Sequence, residues 1–427
     1  HHLHSVWPRS ASAATRPIGP RWISRPLPAW YDQSKIGIFI HWGVFSVPSY
    51  HSEWFWWYWQ GTDKQKDVVN FMKQNYPPGS PTPICAKFKA TFFNPDTNGR
   101  KLFDSAGAKY VVFTSKHHEG YCNWDTAYSF NWNSKQVGPN RDLVADLAAA
   151  IRKRPGLRFG LYHSLMTSAP SSRPEILSLS KTMPELYELV NRFKPDVVWS
   201  DGDWDAPAEY WNSTGFLAWL YNDSPVNDSV VTNDRWGKGV MCNHGGYYTC
   251  QDRPHKWENC MTLDKLSWGY RRDARLADYL TPQELLSTLA TTISCGGNLL
   301  VNVGPTADGT IDPVMEERLR QLGSWLRTNG DARSVVHPAG RLCVRTPFLL
   351  TWPANDRLLL GSVAMATNVT LLGHPKATGI FSYAEGFVGG SAKSGWHRAA
   401  LGLGAAARRS EASKDSGAAA HLRANAE

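Results

Sequence analysis

A chain of 427 residues exceeds what one small domain needs and suits one large domain with a smaller companion. Its 42% hydrophobic content supports a sizeable core, and no apolar run reaches the roughly 18 residues a membrane-spanning helix requires. The net charge of +9 comes from scattered pairs such as Arg271-Arg272 and Arg408-Arg409, not from one basic element interleaved with aromatics, so no nucleic-acid partner is expected.

Residues 1–27 are rich in Pro, Ser and Arg and read as a loose leader. The start, His1-His2-Leu3-His4, has neither an initiator Met nor a signal-peptide apolar region, as expected of a processed chain or a fragment. Lys35–Gly43 contains a buried strand ending at His41. A loop follows that holds five tryptophans between Trp42 and Trp59, a density typical of clefts where flat rings stack on sugar C–H faces. Residues 63–75 predict a helix with Val68, Val69 and Met72 on one face. Lys109–Phe113 is the next strand and runs into Ser115-Lys116-His117-His118-Glu119-Gly120. Helix 141–153, strand Arg158–Leu161 and helix 183–193 lead to Pro195-Asp196-Val197-Val198-Trp199-Ser200-Asp201, a strand that ends in a carboxylate. Val230–Val231 and Lys256–Cys260 are further short strands, and helix 281–293 precedes the strand Asn298–Val303. A helix over about 312–328 closes this region at Asn329-Gly330, residues that tolerate the left-handed turn of a helix end.

Strands alternating with helices, each strand ending in polar residues, predict an α/β fold built as a (β/α)8-type barrel over residues 28–335. The first strand is followed by no GxGxxG, and the chain holds no P-loop, which disfavours an open nucleotide-binding sheet. Residues 336–384 read as a small, incomplete C-terminal β-sandwich, with strands near Phe348–Trp352 and Leu358–Val363. Residues 385–427 are rich in Ala, Gly, Ser and Arg and read as a low-complexity, disordered tail.

Seven cysteines without a CxxC pair disfavour a zinc ribbon, and the odd number leaves at least one thiol free. Cys242 and Cys250 flank a Gly-rich turn and could close a loop disulfide. Sequons stand at Asn212, Asn222, Asn227 and Asn368; Pro225 disfavours use of the second, and three near one another favour the secretory route, hence a secreted or lysosomal location.

Barrel strand ends converge, which gathers His41, Glu53, Trp54, His117, His118, Tyr162, Trp199, Asp201, Arg235, Asp252 and Glu258 into one candidate site. Glycoside hydrolysis needs one ionised carboxylate and one protonated carboxyl. Asp201 suits the first role because it directly follows a buried strand, with Asp203 and Asp205 as competitors on the adjoining loop. The second role falls to Asp252 or Glu258, between which the residues themselves do not choose. Adjacent residues on a strand face opposite ways, so His117-His118 is a poor metal pair and serves better as neutral donors and acceptors for sugar hydroxyls. No metal or other cofactor is expected.

Gly37-Ile38-Phe39-Ile40-His41-Trp42-Gly43, Ser52-Glu53-Trp54, Ser115–Gly120, Trp199-Ser200-Asp201-Gly202, Asn233-Asp234-Arg235-Trp236 and Lys256-Trp257-Glu258-Asn259-Cys260 together resemble the α-L-fucosidases of glycoside hydrolase family 29, and most of all their animal members. The resemblance runs from about Leu27 to Gly330. It implies a metal-free retaining exo-α-L-fucosidase acting on terminal fucose of glycoproteins and glycolipids. Asp201 would be its nucleophile, and His41, Glu53, Trp54, His117, His118, Tyr162, Trp199 and Arg235 would hold the sugar. Asp252 is the favoured acid/base and Glu258 the alternative. Segments 165–180 and 252–255 look shorter than in relatives, so a catalytically impaired fucose-binding paralogue, or a splice or gene-model variant, is the competing expectation. Fucosylated glycans are the expected partners, and self-association into a homo-oligomer is left open.

Overall fold

The computed structural model describes residues 26–77, 84–167, 178–238 and 256–329, together with the short strands 348–349, 357–361, 367–372, 380–382, 398–402 and 420–426. Seven parallel strands form one curled sheet: β1 Ile36–Ile40, β2 Tyr110–Lys116, β3 Arg158–Ser164, β4 Val197–Asp201, β5 Val231–Thr232, β6 Glu258–Thr262 and β7 Asn298–Val303. Their spatial order is β5-β4-β3-β2-β1-β7-β6. The first strand therefore pairs with the second on one side and the last on the other, which is what a barrel produces when its sequence order runs round a circle. An open doubly wound sheet would instead reverse its order at a switch point. The expected barrel is what the chain forms; the segment joining β5 to β6 lies outside the described residues.

Side-chain alternation sorts each strand into two faces. Phe39, Tyr110, Val112, Tyr162, Val197, Trp199, Val231 and Leu300 make the inner cluster, joined by Tyr31. Ile36, Ile38, Ile40, Val111, Phe113, Phe159 and Leu161 face outward, into a layer shared with the helices. Gly37 belongs to the inner face because the Tyr110 ring occupies the space a side chain would need, 2.4 Å from where its Cβ would stand. Both faces of β1, β2 and β7 are buried, so these strands read as apolar runs rather than as alternating patterns, whereas β6 is only half-buried along its length.

The helices fall close to their expected places. Leu143–Arg152 starts at Asp142, whose side chain accepts from the Ala145 amide, and buries Leu143, Val144, Leu147 and Ile151. Met183–Phe193 buries Leu186, Leu189, Val190 and Phe193 and stops at Lys194 in the left-handed region. Pro282–Ser294 opens with a capping box between Thr281 and Glu284. Pro313–Asn329 is the closing helix. The helix expected from residue 63 starts at Lys66, since Thr62 to Lys64 are exposed and only from Val68 does the apolar face find the core.

The sequence reading overlooks the short helix Ala29–Ser34, which brings Trp30 and Tyr31 to the inner cluster. Two segments of the expected disordered tail, Arg398–Gly402 and Ala420–Ala426, are central strands of two three-stranded antiparallel sheets, the first between Ile380–Ser382 and Arg357–Gly361 and the second between Thr367–Leu372 and Phe348–Leu349. A ladder satisfies backbone N–H and C=O groups whatever the side chains, so low apolar content does not by itself forbid pairing.

Candidate active site

The inner face of β4 carries Val197, Trp199 and then Asp201, so the same period that buries the first two delivers the carboxylate to the barrel mouth. Asp201 is largely enclosed, its side chain only 13% exposed. Its Oδ1 accepts from Arg235 Nη1 at 2.9 Å and its Oδ2 from the Tyr162 hydroxyl at 2.8 Å. Burial pushes its pKa up, but His118 once protonated, together with the Arg235 guanidinium, the Tyr162 hydroxyl and the Gly202 amide, which act at any pH, outweighs burial and holds it below the ordinary carboxylate value. Asp201 is therefore ionised at neutral pH. Of the competing acids, Asp203 is buried and Asp205 is exposed in the turn that follows. Gly202 opens that turn at φ 72°, where a Cβ would stand 2.7 Å from the Met166 Cβ.

Three imidazoles line the wall beside the carboxylate. His41 lies one residue beyond β1, and its ring centroid is 4.9 Å from that of His117. His117 and His118 share one pocket, their centroids 4.2 Å apart, contrary to the expected divergence. The reason is local: β2 stops at Lys116, and strand alternation does not govern the turn beyond it. Burial holds all three neutral, with His41 well below its usual value, His117 down to about 4 and His118 to about 3. The Ser164 hydroxyl donates to the Met166 carbonyl at 2.9 Å, so it accepts from His118 Nδ1–H at 2.7 Å. That leaves His118 Nε2 as an acceptor, 3.7 Å from Asp201 Oδ2, a gap a sugar hydroxyl can enter. Among the described residues no group of three or more His, Cys, Asp and Glu is placed to hold a metal ion.

Glu53 is fixed from the loop after β6, where the Ser267 hydroxyl and the Trp268 amide both donate to its Oε2 at 2.9 Å. Trp54 lies against His118, centroids 4.5 Å apart. Trp199 underlies Arg235, whose guanidinium carbon is 5.3 Å above the ring centroid. His41, Glu53, Trp54, His117, His118, Tyr162, Trp199, Asp201 and Arg235 are thus brought together at the C-terminal ends of β1 to β5. Asp252, like Cys242 and Cys250, lies outside the described residues.

Glu258 stands apart from this group. It opens β6, at the opposite end of its strand from the mouth, and is fully engaged. Tyr110 and Tyr31 donate to its Oε2 at 2.5 and 2.9 Å, and Trp199 Nε1 donates to its Oε1 at 3.1 Å. Burial raises its pKa, against the pull of these three donors. Trp257, expected to be its apolar company, instead donates to the Cys295 carbonyl.

Two contributors escape the sequence reading. Trp268 sits with its ring 6.0 Å from those of His41 and Phe39; lying just beyond β6, it could have been found by the strand-end rule. Glu119 is buried with Oε2 3.0 Å from His117 Nδ1, while its Oε1 has no hydrogen-bond partner among the described residues. Burial pushes Glu119 up to about 7. An acid next to two histidines is a visible signal, but its depth is not.

The sequence profile described as Alpha-L-fucosidase matches residues 7–331, most of the chain and all of the barrel. The chain belongs to this family. Human plasma alpha-L-fucosidase is 53% identical over 405 residues, covering 85% of this chain and 86% of its own. The alpha-L-fucosidase of Branchiostoma floridae is 51% identical over 399 residues, covering 85% and 89%. Among solved structures, the Thermotoga maritima alpha-fucosidase in complex with fucose is 30% identical at a TM-score of 0.71, covering 94% of this chain and 98% of its own. Against this alpha-L-fucosidase background the barrel is that of a glycoside hydrolase.

Proposed function

We propose that the chain is a retaining exo-α-L-fucosidase that releases terminal α-L-fucose from glycoproteins and glycolipids. The observation that carries this is Asp201: an ionised carboxylate at the barrel mouth, gripped by Arg235 and Tyr162 and surrounded by neutral imidazoles. In the first step an Asp201 oxygen forms a bond to the fucose anomeric carbon as the glycosidic C–O bond breaks. The bond's electron pair leaves on the departing oxygen, which takes a proton from the acid. In the second step water attacks that carbon, gives its proton to the same acid and frees Asp201, so configuration is retained. Neutral His41, His117 and His118 with Glu53 supply donors and acceptors to fucose hydroxyls, and Trp54 and Trp199 supply flat faces. Asp252 is the proposed acid, since Glu258 has its oxygens committed to Tyr31, Tyr110 and Trp199 at the start of β6. The ionised nucleophile leaves the reading of a catalytically impaired fucose-binding chain without support of its own.

The test uses an aryl α-L-fucoside followed by proton NMR. The first product should be α-fucose, and Asp201→Ala should lower kcat by at least about a thousandfold. Asp252→Ala should slow poor leaving groups far more than good ones, whereas Glu258→Gln should show no such dependence. Inversion, or an unimpaired Asp201→Ala, would overturn the mechanism.

We further propose a secreted or lysosomal location. It is supported by the disulfide at Cys295, which needs an oxidising compartment, and by the exposed sequon residue Asn212.

A further inference from the structure

The aromatic rings of the site become more exposed from floor to rim. Phe39, Tyr162 and Trp199 are buried, Trp54 is half-buried, and Trp204 is 40% exposed. Trp204 is the outermost of these, its centroid 6.0 Å from that of Trp54 and 5.7 Å from that of His118. It lies three residues beyond Asp201, in the tight turn Asp203–Asp205. Both sides of that turn are held. Gly202 enters it in the left-handed region and Asp203 is buried beneath it. On the far side Lys238 N–H donates to the Ala206 carbonyl at 2.9 Å. An indole mounted this rigidly yet left open to water retains apolar area that nothing in the described chain covers, and it stands where the fucose pocket ends.

We propose that Trp204 is a platform for the leaving group: the pyranose residue that carries the fucose stacks its C–H face on this indole. The proposal rests on the fucosidase reading and deepens it by assigning a specificity-determining residue outside the fucose pocket. A sugar seated on Asp201, His118 and Trp54 has its anomeric oxygen pointing out of the barrel, past those groups, and Trp204 is the next surface it meets. The ring makes no bond to the reacting atoms. It contributes through buried area and orientation, both of which depend on the leaving group having a face to stack.

That dependence defines the experiment. Trp204→Ala and Trp204→Phe are compared with wild type on α-L-fucosyl fluoride, whose leaving group has no surface, and on a fucosyl disaccharide with a neutral pyranose leaving group. Covering roughly 50 to 100 Å² of apolar surface corresponds to about a tenfold to fiftyfold loss in kcat/KM for Trp204→Ala on the disaccharide. Fluoride turnover and inhibition by free L-fucose should stay within about threefold, and Trp204→Phe should recover most of the loss. Equal losses on both substrates would place Trp204 in the fucose pocket and overturn the proposal, as would an unchanged disaccharide rate. If wild type cleaves neither substrate, the fucosidase reading itself fails, a result distinct from both.

Discussion

At the residue scale, the site works by removing protons from where charge would be expected. Asp201 keeps its charge because two donors meet it, while the histidines around it lose theirs to burial. Glu119 is the exception, a buried acid with one oxygen on His117 and the other without a partner among the described residues. Its pKa, about 7 in the fold against the ordinary 4.5, means the folded chain prefers the protonated acid. The stability this group contributes is complete below about pH 4.5 and is lost as pH rises through about 7. Gln cannot ionise, so Glu119→Gln should gain on wild type as pH rises across that window, by roughly 3 kcal/mol in urea unfolding. A pH-independent difference would mean that Glu119 is already ionised when folded. The conformational demand at Gly202 belongs to this scale as well, since it turns the chain sharply off the strand that carries Asp201.

Between elements, the histidine turn is anchored by a buried ionic cluster. Lys116 at the end of β2 donates to Glu185 Oε2 at 3.0 Å, both side chains fully buried, and His163 of β3 lies 3.5 Å from the same oxygen. Lys181, Ser129 and the Cys122 thiol meet Glu185 Oε1. Helix Met183–Phe193 is thereby tied to the strands that carry His117 and, through Ser164, His118. Replacing Glu185 by Ala leaves Lys116 buried without a counter-charge, and should cost about 3–5 kcal/mol. The double variant Glu185→Ala, Lys116→Met should recover part of that loss. No recovery would show that packing, not charge, is what Glu185 supplies. At the other end of the barrel, Glu258 does similar work by joining the Ala29–Ser34 helix to β2 and β4 through Tyr31, Tyr110 and Trp199.

For the whole molecule, the buried histidines set the response to acid. His41, His117, His118 and His163 all have folded pKa values below the ordinary 6.5, burial being the largest cause in each. Above that value folded and unfolded chains are both neutral at these sites. Below it the unfolded chain takes up protons first, so stability falls as pH drops from about 6.5 towards 3–4, by about 3 kcal/mol for His117 alone. Glu119 and Glu258, whose pKa values burial raises, oppose this trend against the four histidines. The melting temperature should decline steadily between pH 6.5 and 4, and a flat profile over that range would contradict the burial of these rings.

Alternating strands and helices, their polar ends and the spacing of Trp199 and Asp201 are local features. Apolar runs of strand length and helical periodicity report burial directly, and for that reason the barrel, most element bounds and the gathering of nine of the eleven candidate residues at one end of it are legible in the chain. What the chain does not carry is depth and direction across long separations. Glu258 belongs to a motif as suggestive as any other, yet the β6–β7 register sets it opposite Asn298, and Tyr31, 227 residues away, shares its carboxylate. His117 and His118 look divergent until β2 ends one residue before them. The chain alone determined the fold and the place of Asp201 at a strand end, because both follow from period and position along one strand. Only the tertiary structure decided which carboxyls face the mouth and which brace the floor, because desolvation and hydrogen bonding at a buried acid come from residues that are neighbours in space alone.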